Sequence, residues 1–325
     1  MILRPCYGLI AAAVVALLAS ATSSHAANIA DFVDFTLRTP RGQVLLPGRL
    51  YVPPVASPGS HPVPLIVYLH GSGASGTNNS LQIEQTPDML ASEAKRRGAM
   101  LYVPQTNAGW TATSITDSVM TMITRAVNEL GADPDRLYVT GYSMGGGGTW
   151  NMLSRNPGRF AAGLVVSPAL QGAGFNAANL LDTAIIAVHA RDDATTPVTN
   201  SRGVVNQILA AAGEATPTYL DSRSTKYFVA ANLAIPFHRE IVFSEPPGST
   251  TNHFITRPNL DLMYYEQPTG GHTGLLGVYY SEGIYDWMFS HSLAVPEPQT
   301  AILLLASGLA LLSVNRQPRR ASLAI

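Results

Sequence analysis

The chain has 325 residues, a formal net charge of −1 at pH 7 and a single cysteine, Cys6. No basic stripe crosses its interior, which argues against nucleic acid as a partner. Cys6 lies in the leading segment, so the body offers no disulfide, thiolate nucleophile or cysteine metal site, and the absence of H-E-x-x-H and phosphate-loop motifs implies no metal and no organic cofactor.

Residues 1–26 read as a secretory signal peptide. Arg4 supplies the positive region, LIAAAVVALLA the apolar run, and Ser24-His25-Ala26 a small-residue cleavage site that leaves Ala27 first. The run is shorter than a bilayer span needs, which weighs against a retained anchor. Residues 27–292 suffice for one large α/β domain. FVDFTLRT and RLYVPP read as an antiparallel leading pair. From Leu65 onward apolar strands alternate with helices: PLIVYLH, a helix over Leu90–Arg97, AMLYVP, a helix from Ser114 to Leu130, RLYVT, a helix from Met144 to Leu153, and AAGLVVS. AIIAVHA, a helix over Gly203–Ala212, LDLMYYEQ and a terminal helix over Gly274–Phe289 complete the series. Strands that are apolar throughout and separated by helices predict a mostly parallel, doubly wound sheet with helices on both faces. Residues 222–259 break the alternation with strand-like KYFVA and REIVFSE among proline-rich turns. They read as an insertion before the last strand, of the kind that shapes binding sites. Residues 293–325 contain VPEPQT, the apolar AILLLASGLALLSV and the basic NRQPRR, a short transmembrane stretch whose basic end stays cytoplasmic.

The densest chemical signal is GYSMGGGGTW, Gly141 to Trp150. A serine hydroxyl becomes a nucleophile when a base takes its proton and donors receive the oxyanion. A strand–turn–helix corner exposes such a serine and requires small neighbours, hence G-x-S-x-G, here Gly141-Tyr142-Ser143-Met144-Gly145. The architecture orders its partners as serine, acid, histidine. The acid belongs after AIIAVHA, in RDDATTP, where Asp192 and Asp193 compete and a turn-capping carboxylate is the alternative. The base belongs between the last strand and last helix, where QPTGGHTG supplies His272; His253 and His291 are its rivals. Oxyanion donors are expected from the backbone amides of Met144 and of Ser72, with Gly71 beside it, in YLHGSGASG. The Ser72 hydroxyl and His70 read as structural. Trp110, in PQTNAGW, and Tyr142 are candidate aromatic walls of a substrate site, with ordinary packing as the alternative; Trp287 reads as core.

HGSG, PQTNAGW, DPDRLYVTGYSMGG, HARDDATTP and GGHTG, in that order over about Pro64 to His291, resemble the α/β-hydrolase superfamily. The resemblance is closest to its extracellular esterase and predicted-peptidase branch, which includes polyhydroxybutyrate depolymerase-like and feruloyl esterase-like enzymes. It implies Ser143 as nucleophile, His272 as base and, through the spacing H-x-x-x-D-x-x-x-P, Asp193 as acid. The Pro-Gln pair before Trp110 implies that Gln105 also faces the site. The chain departs from the pattern at Ala190, where glycine is usual, at Thr196, where valine is usual, and in the four glycines after Met144. The implied activity is hydrolysis of carboxylic esters, small or polymeric, through an acyl-enzyme; a peptidase of the same fold and a non-catalytic surface binding protein are the alternatives. Val295 to about Arg320 resemble a PEP-CTERM sorting signal. That resemblance implies an exosortase-type processing enzyme, transient residence in the inner membrane, and export to the periplasm, surface or extracellular matrix of a Gram-negative bacterium.

Overall fold

The computed structural model describes residues 28–56, 61–217, 219, 227–230 and 261–294. The expected signal peptide, the expected sorting segment beyond residue 294, His253 and most of the expected insertion lie outside them. Among the described residues no helix is long and apolar enough to cross a membrane.

The leading segment forms β1 (Val33–Asp34), β2 (Leu37–Arg38), β3 (Val44–Leu46) and β4 (Gly48–Tyr51). FVDFTLRT is thus split between two sheets: β1 pairs antiparallel with β4, whereas β2 turns away and pairs with β3 in a separate ribbon. The alternating series follows as β5 (Val63–Leu69), α1 (Leu81–Glu84), α2 (Asp88–Arg96), β6 (Met100–Pro104), α3 (Thr113–Leu130), β7 (Ala132–Tyr142), α4 (Met144–Arg155) and β8 (Ala162–Val166). It ends with β9 (Ala184–Ala190), α5 (Thr199–Ala211), β10 (Tyr227–Ala230), β11 (Leu262–Gln267) and α6 (Glu282–Ser290). The terminal helix expected over Gly274–Phe289 is broken. Gly274–Tyr280 wind as a 3₁₀ segment, Ser281 is extended at φ −94° and ψ 112°, and α6 starts after it. Two glycines, Gly274 and Gly277, weaken α-helix formation in that first stretch. Of the expected insertion, β10 is described, as an edge strand antiparallel to β11.

The main sheet has nine strands among the described residues, in the order β1-β4-β6-β5-β7-β8-β9-β11-β10. Its six central strands, in the order β6-β5-β7-β8-β9-β11, run parallel, and the antiparallel pairs lie at the two margins. Because side chains alternate across a strand, β5 feeds two cores. Leu65, Val67 and Leu69 join the cluster built with α3, α4 and α5, while Ile66 and Tyr68 join the cluster built with α1, α2 and α6. Strands β5, β6, β8 and β9 are buried along their whole length, covered on both sides, which is why these runs are apolar without interruption.

This layout fixes where chemistry can occur. The helices after β5 lie on one face and the helix after its neighbour β7 on the other. Their loops therefore diverge at the carboxyl ends of β5 and β7, and a crevice opens there, the usual ligand position in sheets of this type. The loops after β9 and β11 emerge at the same edge, since those strands are parallel to β7.

Candidate active site

Ser143 occupies the corner between β7 and α4 with φ 58° and ψ −117°, a conformation that costs a non-glycine residue strain. Its surroundings hold it there. Its N–H donates to the Val166 carbonyl at 3.0 Å, and its own carbonyl accepts from Gly147 N at 3.1 Å and Ala169 N at 2.8 Å. The glycines are required by close approach. A Cβ at Gly145 would stand 1.8 Å from the Leu69 carbonyl oxygen, and one at Gly148 2.3 Å from Trp110 Cβ. Helix α4 can thus start directly against the end of β5. Its first residue is Met144, whose N–H lies in the turn that has no intrahelical acceptor. Across the crevice, Ser72 opens the 3₁₀ turn Ser72–Ala74, and Gly71 packs close enough that a Cβ there would lie 3.6 Å from Ser143 Cβ.

The histidine and acid arrive from the other two loops. His272 Nε2 lies 2.8 Å from Ser143 Oγ, and His272 Nδ1 lies 2.7 Å from Asp193 Oδ2. Asp193 Oδ1 accepts the backbone N–H groups of Thr195 at 2.8 Å and Thr196 at 2.9 Å, and Oδ2 accepts the Thr196 hydroxyl at 2.9 Å. Burial pushes this carboxyl upward. The bonds from His272, from Thr196 backbone and side chain, and from Thr195 outweigh burial and leave its pKa below the usual carboxylate value. An ionised carboxylate only accepts, so Nδ1 carries the imidazole proton and Nε2 is free to accept from the serine hydroxyl. Asp192, the rival acid, points elsewhere: it accepts the Gly271 N–H at 2.8 Å and the Gly270 N–H at 3.3 Å. Those glycines have φ 57° and 136°, so the loop that presents His272 bends where side chains would resist and is tied down by Asp192. The other rival within the described residues, His291, bonds Asp261 Oδ2 at 2.8 Å, away from the serine.

Two further groups brace these loops: His189, which sequence reasoning used as a spacing marker without a structural role, and Glu266, which it gave no role. Buried His189 contacts the Thr196 carbonyl through Nε2 and the Ser201 hydroxyl through Nδ1, both at 2.7 Å; burial lowers its pKa, which keeps it neutral. The buried Glu266 carboxylate at the end of β11 accepts Arg202 Nε at 2.6 Å, Arg191 Nε at 3.0 Å and the Tyr264 hydroxyl at 2.7 Å. It thereby joins α5, the exit of β9 and β11. A histidine inside an apolar strand and a lone strand glutamate are the signals that could have marked them.

Beside Ser143 and His272 lies a cavity of about 460 Å³, walled by Tyr68, Tyr142, Tyr280, Leu276, Pro87 and Gln85, with Gly71–Gly73 along one side. Among the described residues no aspartate, glutamate, lysine or arginine lines it. Tyr142 lines this cavity, its ring centroid 4.9 Å from that of His272, and burial reinforced by the Asp193 charge pushes its phenol up to about 12. Trp110 and Gln105 do not line it. Trp110 is 1% exposed and donates its indole N–H to the His70 carbonyl at 2.9 Å. Gln105 is fully buried; it donates to the Ala74 carbonyl at 3.1 Å and accepts the Asn79 N–H at 2.6 Å. Both hold the 70–79 loop from behind, because a loop crowded against the sheet needs partners for its buried backbone groups. His70 does the same: Nδ1 donates to the Gly71 carbonyl at 2.7 Å and Nε2 accepts the Thr106 N–H at 3.1 Å. Among the described residues no cluster of three or more His, Cys, Asp or Glu side chains could hold a metal ion.

No protein-family model and no curated protein sequence matches this chain. Solved structures do. A thermostable esterase superposes with a TM-score of 0.58 at 24% sequence identity, covering 81% of this chain and 64% of its own. The acetyl xylan esterase from Aspergillus awamori superposes with a TM-score of 0.51 at 16% identity, covering 77% of this chain and 95% of its own. The fold is that of the α/β-hydrolases. The chain spans somewhat less than two thirds of the thermostable esterase, so the likeness speaks for this architecture alone.

Proposed function

We propose that this α/β-hydrolase-fold protein is an exported serine hydrolase that cleaves carboxylic esters. The observation that carries the reading is the unbroken chain from Ser143 Oγ to His272 at 2.8 Å and from His272 to Asp193 at 2.7 Å, at the mouth of an uncharged cavity. Ser143 Oγ attacks the ester carbonyl as His272 Nε2 takes its proton. Negative charge develops on the carbonyl oxygen beside the Met144 and Ser72 amides, which receive it without reorganisation. Collapse expels the alcohol, protonated by His272, and leaves the acyl group on Ser143. Water, deprotonated by the same imidazole, then releases the acid. Asp193 holds the Nδ1–H tautomer and stabilises the imidazolium. The cavity favours a neutral acyl or alcohol group, since a charge there meets no countercharge among the described residues.

The terminal segments support export, with the PEP-CTERM-like tail passing through the inner membrane to an exosortase-type enzyme. The test of the chemistry is hydrolysis of p-nitrophenyl esters of increasing acyl length, beside Ser143→Ala and a p-nitroanilide peptide series. The reading requires ester turnover lost in Ser143→Ala. Turnover of the peptides in place of the esters assigns the same residues to a peptidase, and turnover of neither by folded protein leaves a binding role.

A further inference from the structure

The acid loop carries a hydroxyl that the proposed mechanism does not use. Thr196 is 7% exposed and its Oγ1 has three polar neighbours: Asp193 Oδ2 at 2.9 Å, the Ser167 carbonyl at 3.2 Å and His272 Nδ1 at 3.1 Å. The hydroxyl has one proton and two lone pairs. The proton goes to Asp193 Oδ2, the nearer and charged of the two acceptors, rather than to the Ser167 carbonyl. A lone pair therefore remains for the proton on His272 Nδ1. The imidazole N–H sits between two acceptors, the carboxylate at 2.7 Å and this hydroxyl. Thr196 is itself held: its backbone N–H bonds Asp193 Oδ1, its carbonyl accepts from His189, and a β-branched side chain has few rotamers.

We propose that Thr196 is a positioning residue of the triad, its hydroxyl locking Asp193 Oδ2 in place and giving His272 Nδ1–H a second acceptor. The inference rests on the serine hydrolase reading. Valine has nearly the shape of threonine but lacks the hydroxyl, so it removes the bond to Asp193 Oδ2, leaves the two backbone bonds to Oδ1, and leaves the imidazole one acceptor while packing is kept. The hydroxyl acts through Asp193 and His272 and touches no substrate, so its loss falls on kcat and spares KM.

The experiment compares wild-type full chain with Thr196→Val, Thr196→Ala and Thr196→Ser on p-nitrophenyl acetate, and follows the downfield Nδ1 proton of His272 by NMR. The proposal expects kcat to fall about tenfold or more in Thr196→Val, as for a lost hydrogen bond to a charged group, with KM unchanged. Thr196→Ala gives the same kcat loss should valine prevent folding, Thr196→Ser restores the rate, and the Nδ1 proton resonance moves in the valine and alanine variants alone. Valine or alanine variants with wild-type kcat and an unmoved resonance overturn this inference while the hydrolase reading stands. So does a serine variant as slow as valine, since the methyl would then be the feature that counts. A folded wild type that hydrolyses no ester overturns the hydrolase reading and this inference with it.

Discussion

Asp192 and Asp193 are adjacent, carry the same side chain and do different work. Asp193 lies under the imidazole, whereas Asp192 reaches sideways to the two glycine amides of the histidine loop. Local sequence alone left both open; the spacing from His189 to Pro197, read through a family resemblance, separated them. Replacing Asp193 with Asn removes the charge and imposes the wrong tautomer, and kcat should fall about 10⁴-fold. Replacing Asp192 with Asn keeps the hydrogen-bonded chain from Ser143 through His272 to Asp193 and weakens two hydrogen bonds to backbone, for which a loss of about tenfold is expected. Steady-state kinetics on one ester substrate checks both, and equal losses would mean that the two carboxylates share the role. Gln105 and Trp110 show the limit of residue-level reading. Polar and aromatic residues in a loop beside a site serve equally as wall or as scaffold, and the choice depends on which buried carbonyls and amides the folded loop leaves without partners.

Helix α4 was legible because its glycines are so costly that only contact explains them. Gly145→Ala puts a methyl against backbone that cannot yield, 1.8 Å from the Leu69 carbonyl oxygen, and is expected to destabilise by more than about 4 kcal/mol or to prevent folding. Gly203 in α5 is the control: nothing lies within 4 Å of a Cβ there, so Gly203→Ala should stabilise by roughly 0.8 kcal/mol. Chemical denaturation of the two variants distinguishes packing from propensity. The joint between α2 and α6 was not legible, because it depends on pairs distant in sequence. Arg97 bonds Glu93 at 2.9 Å and also Asp286 of α6, while Arg96 adds a second contact to Glu93. Burial pushes the Glu93 carboxyl up, and the two guanidinium groups outweigh it and hold its pKa below 4.5. A carboxyl whose folded pKa is depressed contributes stability above its unfolded value and loses it as pH falls through the folded one. Glu93→Gln should therefore lower Tm at pH 7, with the gap to wild type closing as pH falls below 4.5 and through the lowered pKa of the native glutamate. A gap independent of pH would show that Glu93 matters for packing alone.

At the scale of the whole molecule, the sequence carried the alternation of strands and helices but not the order of strands. Apolar runs say that both faces of a strand are covered; they do not say that β7 pairs with β5 across from β6. That crossing opens the crevice at Ser143, and parallel strands bring the acid and histidine loops to the same edge. Glu266 holds those two loops together through Arg191, Arg202 and Tyr264. Glu266→Gln removes the buried charge that the Arg191 and Arg202 guanidinium groups bond and should cost about 3 kcal/mol of stability, measured by denaturant unfolding. A change within about 0.5 kcal/mol would show that the cluster is dispensable.

The central claim is that one strained serine, aimed by this fold, is a nucleophile. Incubating the protein with a fluorophosphonate and mapping its peptides by mass spectrometry tests it most directly. The account predicts one phosphonyl group on the peptide containing Ser143, lost in His272→Ala. Folded protein that remains unlabelled, or that is labelled at another residue, would contradict it.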